Sequence, residues 1–243
     1  MKDRFSKHAD RYVQFRPMYP HALFEFIYSH LTRFDTAWDA GTGNGQAARQ
    51  LSKKFQKVFA TDISEKQLLN AYMADNIIYS IASEKTSLTD QSINLITVAQ
   101  AAHWFNLNLF SEEVDRVLKP EGIIAVWGYG LLTINMEIDN HINHFYSSVI
   151  GTYWDEERKH IDEHYINLHF PFKEISSPPF TISVLWNLVE LEGYFNTWSA
   201  VQKYISERGE NPVDQLMKAI KTHWKGERQI VNFPVFLRLG SKQ

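Results

Sequence analysis

Apolar positions along the chain switch repeatedly between strand-like runs and helical spacing. From Pro20 to Leu31 they fall at Leu23, Phe24, Phe26, Ile27 and Leu31, a helix with proline in its first turn. A short apolar run from Thr36 then breaks into glycines, and a helix-permissive segment follows to about Lys54. Lys57–Ile63 reads as a second strand. Ser64-Glu-Lys-Gln67 has the capping-box pattern and predicts a helix to about Ala74. Asn76–Ser83 reads as a third strand, and Ser92–Gln100 as a fourth, nearly continuous in apolar residues as strands buried on both faces are. Residues 109–118 predict a helix ended by the turn Lys119-Pro-Glu-Gly122, and Gly122–Gly128 a fifth strand. Residues 137–170 read as a helical insertion rich in His, Tyr and Trp. Phe180–Trp186 alternates as a sixth strand, Leu191–Ile205 and Pro212–Trp224 read as helices, and Gln229–Leu239 as the last strand. Two late strands without a parallel crossover predict an antiparallel finish to a mostly parallel α/β sheet.

Composition narrows the function classes. At 243 residues and 44% apolar, the chain can bury a full core, and one domain over 1–243 is expected. A net charge of −3 gives no basic footprint for nucleic acid or anionic membrane. The absence of cysteine excludes disulfides, thiolate metal sites and a cysteine nucleophile. The charged start and the lack of an apolar run near the roughly 20 residues that span a bilayer lead to the expectation of a soluble, cytoplasmic protein, monomeric or weakly dimeric.

Candidate chemistry begins at Asp39-Ala-Gly-Thr-Gly-Asn-Gly45, where a strand turns into a helix. Glycines there allow a sharp turn and let a ligand approach the backbone, while the first N–H groups of the helix point over the turn. Asp62 closes the second strand, where a carboxylate can accept ribose hydroxyls. The fourth strand ends in Gln100-Ala-Ala-His-Trp-Phe105, small residues and then three rings. His103 could act as a base or as a hydrogen-bond partner. The first 20 residues carry Phe5, His8, Tyr12, Phe15, Arg16, Tyr19 and two prolines, and read as an arm folded over the core.

The glycine turn and the acid after it resemble class I S-adenosylmethionine-dependent methyltransferases. The arm, Ser83-Glu84-Lys-Thr-Ser-Leu-Thr-Asp-Gln-Ser-Ile-Asn-Leu95, the Leu-Lys-Pro-Glu-Gly turn, Ala99-Gln-Ala-Ala-His-Trp-Phe105 and Leu191-Glu-Gly-Tyr-Phe-Asn-Thr-Trp-Ser-Ala200 extend the likeness to the trans-aconitate methyltransferase-like branch of the type 11 methyltransferase domain. Asn94 stands where the family pattern has a second acid. The resemblance implies a Rossmann-like seven-stranded sheet, the last strand antiparallel, with helices on both faces. It implies S-adenosylmethionine as cofactor, S-adenosylhomocysteine as product and a small-molecule methyl acceptor. Cofactor contacts are then expected from Tyr12, Arg16, Asp39, Gly41, Thr42, Gly43, Gly45, Asp62, Ile63, Gln67, Ser83, Glu84, Gln100 and Ala101. Tyr19, His103 and Trp104 are expected on the acceptor, residues 1–20 as a cap over the cofactor and 137–170 as part of the acceptor pocket.

Other readings compete. A nicotinamide oxidoreductase is disfavoured because Gln46 stands where the dinucleotide fingerprint needs a small residue, and no Tyr-x-x-x-Lys pair occurs. A catalytically silent cofactor-binding protein is compatible with the same motifs. Ser177-Pro-Pro-Phe180 resembles the motif of nucleic-acid amino methyltransferases but precedes a late strand, and so reads as a turn. His160 and His164 lack a third ligand and read as a helix face, with no metal.

Overall fold

The computed structural model describes residues 15–242. After helix α1 (His21–Tyr28), strand β1 (Thr36–Ala40) leads into α2 (Gln46–Leu51), β2 (Lys57–Asp62), α3 (Glu65–Leu69) and β3 (Ile77–Ile81). Then come β4 (Ile93–Ala99), α4 (Leu107–Val117) and β5 (Leu118–Tyr129). The later part holds α5 (Met136–His144), α6 (Lys159–Asp162), β6 (Lys173–Ile175), β7 (Phe180–Trp186), α7 (Leu188–Phe195), α8 (Ser199–Arg208), α9 (Val213–His223) and β8 (Gln229–Ser241).

The strands form one sheet in the order β3-β2-β1-β4-β5-β8-β6, with β7 also paired to β8. The first five are mutually parallel. β8 runs antiparallel to β5, from Ile123↔Ser241 to Tyr129↔Val235. On its far side the first half of β8 pairs with β7 and its end with β6, so β6 and β7 share the outer position. This is the Rossmann-like sheet expected of a class I methyltransferase.

Alternation along the central strands buries both faces. Ala37, Leu95, Ile123, Ala125 and Trp127 join one core, with Leu23 and Ile27 of α1, Ala48 and Leu51 of α2, and Phe195 of α7. Trp38, Ile96, Ile124 and Val126 join the other, with Phe110, Val114 and Val117 of α4 and Tyr165, Leu168 and Phe172.

Several expected boundaries shift. Lys119–Gly122 is drawn into β5, with a register shift opposite Ile93 and Leu95, so the expected turn is a bulged strand start. α3 ends at Leu69, and Tyr72 N–H instead meets the Asn44 carbonyl. Ser64 Oγ accepts from Gln67 N–H at 3.3 Å, but Ser64 N–H goes to Asp62, so only half of the capping box forms. The helix expected over Leu191–Ile205 is broken between α7 and α8, where Asn196 and Thr197 side chains turn back onto the Glu192 and Tyr194 carbonyls. The insertion is helical only in part: α5 runs into a π-helical turn (Phe145–Val149), followed by two 3₁₀ turns and α6. His164 falls beyond α6 at φ 53° and stacks on Phe236, so the expected helical spacing with His160 is lost. Among the described residues no cluster of potential metal ligands occurs, and no helix is long and apolar enough to cross a membrane.

Candidate active site

The glycine turn leaves the carboxyl end of β1, the position where parallel sheets gather ligands. Gly41, Gly43 and Gly45 all have positive φ (66°, 55° and 82°). Gly41 and Gly45 are also packed tightly. A Cβ on Gly41 would lie 2.7 Å from that of Ala101, and one on Gly45 would lie 2.5 Å from the Tyr79 hydroxyl. Around Gly43 there is open space, with no atom within 4 Å of an added Cβ. A backbone bent this way, braced on both sides and open in the middle, makes a cradle that a side chain would fill.

Asp39 works beneath this turn. It is fully buried and accepts hydrogen bonds from Thr42 Oγ1 (2.5 Å), Thr97 Oγ1 (2.7 Å) and Ala48 N–H (3.2 Å). Asp39 and Thr42 thereby pin the loop to β4 and α2. Burial pushes the Asp39 carboxyl up to about 6, opposed by those three bonds. Asp62 caps the cradle from β2, accepting from Gly43 N–H through Oδ2 and from Ser64 N–H through Oδ1, each at 2.9 Å. Ile63 beside it is half-buried. Gln67 is buried, and its Oε1 has no hydrogen-bond partner among the described residues. Past β3, Ser83 is exposed, whereas Glu84 turns inward and accepts from Asn106 N–H at the start of α4 (2.8 Å).

β4 ends in a second strained turn. Gln100 has φ 56°, unusual for a residue with a side chain, and three bonds hold it there. Its N–H donates to the Trp127 carbonyl (2.8 Å), its Oε1 accepts from Tyr129 N–H (2.7 Å), and its Nε2 donates to the Tyr129 carbonyl (3.3 Å). The Gln100 amide therefore clamps the end of β5. The turn it forces sets Ala101 against the glycine loop and opens a 3₁₀ turn, Ala102–Trp104, that carries His103.

His103 is 8% exposed, and its Nδ1 lies 2.7 Å from the Tyr165 hydroxyl. Tyr165 is itself held at φ 60°, after His164 at φ 53°. Burial lowers His103 to about 3, with Arg158 and His160 adding to the effect, so the ring is neutral across physiological pH. Trp104 packs against it with ring centroids 4.7 Å apart.

Next to this turn lies a cleft lined by Arg16, Gln100, His103, Trp104, Trp154, Asp155, Arg158, Ile161, Thr197, Trp198 and Ser199. Four stretches distant in sequence thus meet at one place: the segment before α1, the end of β4, the insertion, and the break between α7 and α8. Arg16 donates to the Tyr129 hydroxyl at 2.8 Å and sits over the Tyr194 ring. Arg158 lies over the rings of Tyr146 and Trp154, and its Nε donates to the Tyr146 hydroxyl at 2.8 Å. Asp155 is paired with Lys203 at 2.8 Å. Tyr19 is buried against Trp127 and Tyr129 and is not among the residues that line the cleft. Tyr12 and most of the expected cap lie outside the described residues. Arg158, Trp154 and Tyr165 escaped the sequence reading because no motif surrounds them; the only signal was the aromatic content of the insertion.

A braced glycine cradle at β1, an acid closing β2 and an aromatic turn at β4 define an α/β enzyme built for an adenosine-containing cofactor. The family described as a methyltransferase domain matches residues 38–126, β1 through most of β5. A Dictyostelium discoideum protein named as a methyltransferase is 36% identical over 99% of this chain and 95% of its own length. A solved structure from Anaeromyxobacter dehalogenans, described as a type II methyltransferase, superposes with a TM-score of 0.87 at 33% identity, over 93% of this chain and 98% of that one. A methyltransferase of Aspergillus aculeatus is 28% identical over 56% of this chain and 48% of its own length. The chain belongs to the class I S-adenosylmethionine-dependent methyltransferases.

Proposed function

We propose that this enzyme methylates an oxygen, carboxylate or hydroxyl, of a small molecule held in the cleft beside His103. S-adenosylmethionine supplies an electrophilic methyl group on a sulfonium. The residues present fit it: Gly43 leaves the cradle open, and Asp62 closes β2 beside it, where a carboxylate could accept ribose hydroxyls. For the chain itself the work is alignment and the exclusion of water, which convert an encounter of two molecules into a reaction within one assembly. Trp104 and Trp198 supply apolar walls for that purpose.

The observation that carries this reading is the neutral, buried His103 lining a cleft at the end of β4. A ring whose conjugate acid has a pKa of about 3 is a weak base at neutral pH. It suits an acceptor that is already ionised, to which it can offer a hydrogen bond or shape. A carboxylate meets that condition unaided, and a hydroxyl would need its proton removed elsewhere. Carboxylate O-methylation is therefore the favoured form, and residues 137–170 would contribute the acceptor's wall.

Calorimetry with S-adenosylhomocysteine and, separately, NADH tests the cofactor; micromolar binding of the first alone is expected. Methyl transfer from labelled cofactor to a panel of carboxylic acids and matched alcohols then tests the chemistry. Turnover of acids with a rate flat between about pH 6 and 8 is expected. Tight cofactor binding with no acceptor turned over would favour a catalytically silent role. Binding of NADH alone would sink the methyltransferase assignment of the site.

A further inference from the structure

The insertion contains an irregularity with a chemical consequence. α5 does not end at His144 but continues through the π-helical turn Phe145–Val149, where Ile150 N–H reaches back to the Phe145 carbonyl. Such turns insert one residue into helical register and re-aim the side chains they carry. The side chain re-aimed here is Tyr146. Its hydroxyl donates to Asp162 Oδ1 (2.7 Å) and accepts from Arg158 Nε (2.8 Å), while its carbonyl accepts from Trp154 Nε1 (3.2 Å). Burial raises the Tyr146 phenol well above its ordinary value, so the hydroxyl keeps its proton and can play both parts. The Arg158 guanidinium lies 5.4 Å from the Tyr146 ring centroid and 4.8 Å from that of Trp154. Nε is thereby occupied and the guanidinium plane is set by two rings, yet neither Nη1 nor Nη2 donates a hydrogen bond to any described residue. Those two nitrogens belong to a side chain that lines the cleft.

We propose that Arg158 is the residue by which the enzyme selects an acceptor bearing a planar oxyanion, and that Tyr146 is the positioning residue that aims it. A guanidinium with its Nη edge unpaired matches two oxygens of one anion through parallel N–H···O bonds. The local charges agree. Asp162 is 3.7 Å from Arg158 Nε and half-exposed, a screened contact that leaves the cation's charge largely uncompensated. Asp155, the acid lining the cleft, is offset by Lys203, and Arg16 adds a second cation. This rests on the cleft being the acceptor site, and it can be tested without methyl transfer.

The experiment is saturation-transfer NMR on the full chain with benzoate, benzamide and phenyl phosphate at millimolar concentration, with and without S-adenosylhomocysteine. Wild-type protein should retain benzoate about 10-fold better than the isosteric amide, the usual scale for one charge-assisted bidentate pair. Arg158→Met should bring that ratio to about one with benzamide retention unchanged, and Arg158→Lys should fall between. Tyr146→Phe, which keeps the ring and loses the hydroxyl, should reduce the ratio several-fold. Stronger retention of phenyl phosphate than benzoate would overturn the selection of a planar oxyanion and point to a tetrahedral one. A wild-type ratio near one, including retention of neither ligand, overturns the proposal. So does a ratio unmoved by Arg158→Met, which would transfer the selection to Arg16. Should Arg158→Met fail to fold, an unchanged ratio in Tyr146→Phe is the overturning result. Failure to bind S-adenosylhomocysteine alongside intact acid selection would separate a fault in the cofactor assignment from a fault here.

Discussion

Three glycines in five residues do different work at the cradle, and a single methyl group separates their roles. Alanine at 41 or 45 meets a neighbour at 2.7 or 2.5 Å in addition to backbone strain, so both substitutions disturb the fold. Alanine at 43 meets nothing, and its cost to stability is that of a left-handed residue, about 1–2 kcal/mol. The same Cβ would project into the open space of the cradle, where the proposed cofactor site lies. Gly43→Ala is therefore expected to fold, with a modestly lower midpoint in urea, and to bind S-adenosylhomocysteine at least about 10-fold more weakly by calorimetry. Unchanged affinity would mean that the cofactor does not lie over Gly43. These glycines were legible because a backbone requirement leaves its mark at the residue that meets it. Gln100 was not. It too holds a left-handed conformation, but what sustains it is the backbone of Tyr129, 29 positions further on, a contact made only when β5 is laid beside β4. Asp39 was legible only in part, for a related reason. The same residue type at the same offset can face the ligand or lie under the loop, and only the positions of Thr97 and Ala48 decide which.

Elements were legible where periodicity and pairing agree. Strands β1, β2, β4 and β5 alternate or run apolar in step with their burial, and the antiparallel end of the sheet followed from two late strands without a parallel crossover. Breaks within a continuous apolar stripe were hidden. Leu191, Tyr194, Phe195, Trp198 and Val201 keep helical spacing across the interruption at Asn196–Trp198 because both helices rest on one core. That break matters to the site, since it brings Thr197, Trp198 and Ser199 to the cleft and directs the Thr197 carbonyl toward Arg16. β6 is only three residues long, too short for alternation to register. The start of α7 carries a complete capping box that the sequence reading passed over: Asn187 Oδ1 accepts from Glu190 N–H at 2.9 Å, and Glu190 Oε2 from Asn187 N–H at 2.8 Å. Glu190 also meets Arg228, near the start of β8. Asn187→Ala should cost about 1 kcal/mol in urea denaturation, and Asn187→Ser much less. Equal losses in the two variants would show that the Oδ1 contact contributes little and that the cost arises from packing.

Across the whole molecule, two buried groups with opposite titration make stability depend on pH in a way that variants can separate. His103 is held neutral in the native state down to about pH 3, whereas the unfolded chain takes up that proton near 6.5. Between those values the unfolded state binds more protons, so the His103 contribution falls as pH falls. Asp39 acts the other way. Its native pKa of about 6 lies above the unfolded value near 3.8, so its contribution is fully present below pH 3.8 and is lost as pH rises through 6. From pH 6 to 4 the two slopes oppose, and the wild-type profile should be flatter than either group alone would give. His103→Asn removes one slope and leaves the other. Subtracting the variant's unfolding free energy from that of the wild type cancels Asp39, because the two groups belong to different hydrogen-bond sets. That difference should shift against the wild type by about 2–3 kcal/mol from pH 6.5 to pH 4.5, following 1.36 kcal/mol per pH unit. A difference constant over that range would mean that His103 can protonate inside the fold. The ring would then have access to water and base strength nearer an ordinary imidazole. The argument that an acceptor must arrive already ionised would lose its footing, and proton removal from a hydroxyl by His103 would become the mechanism to test.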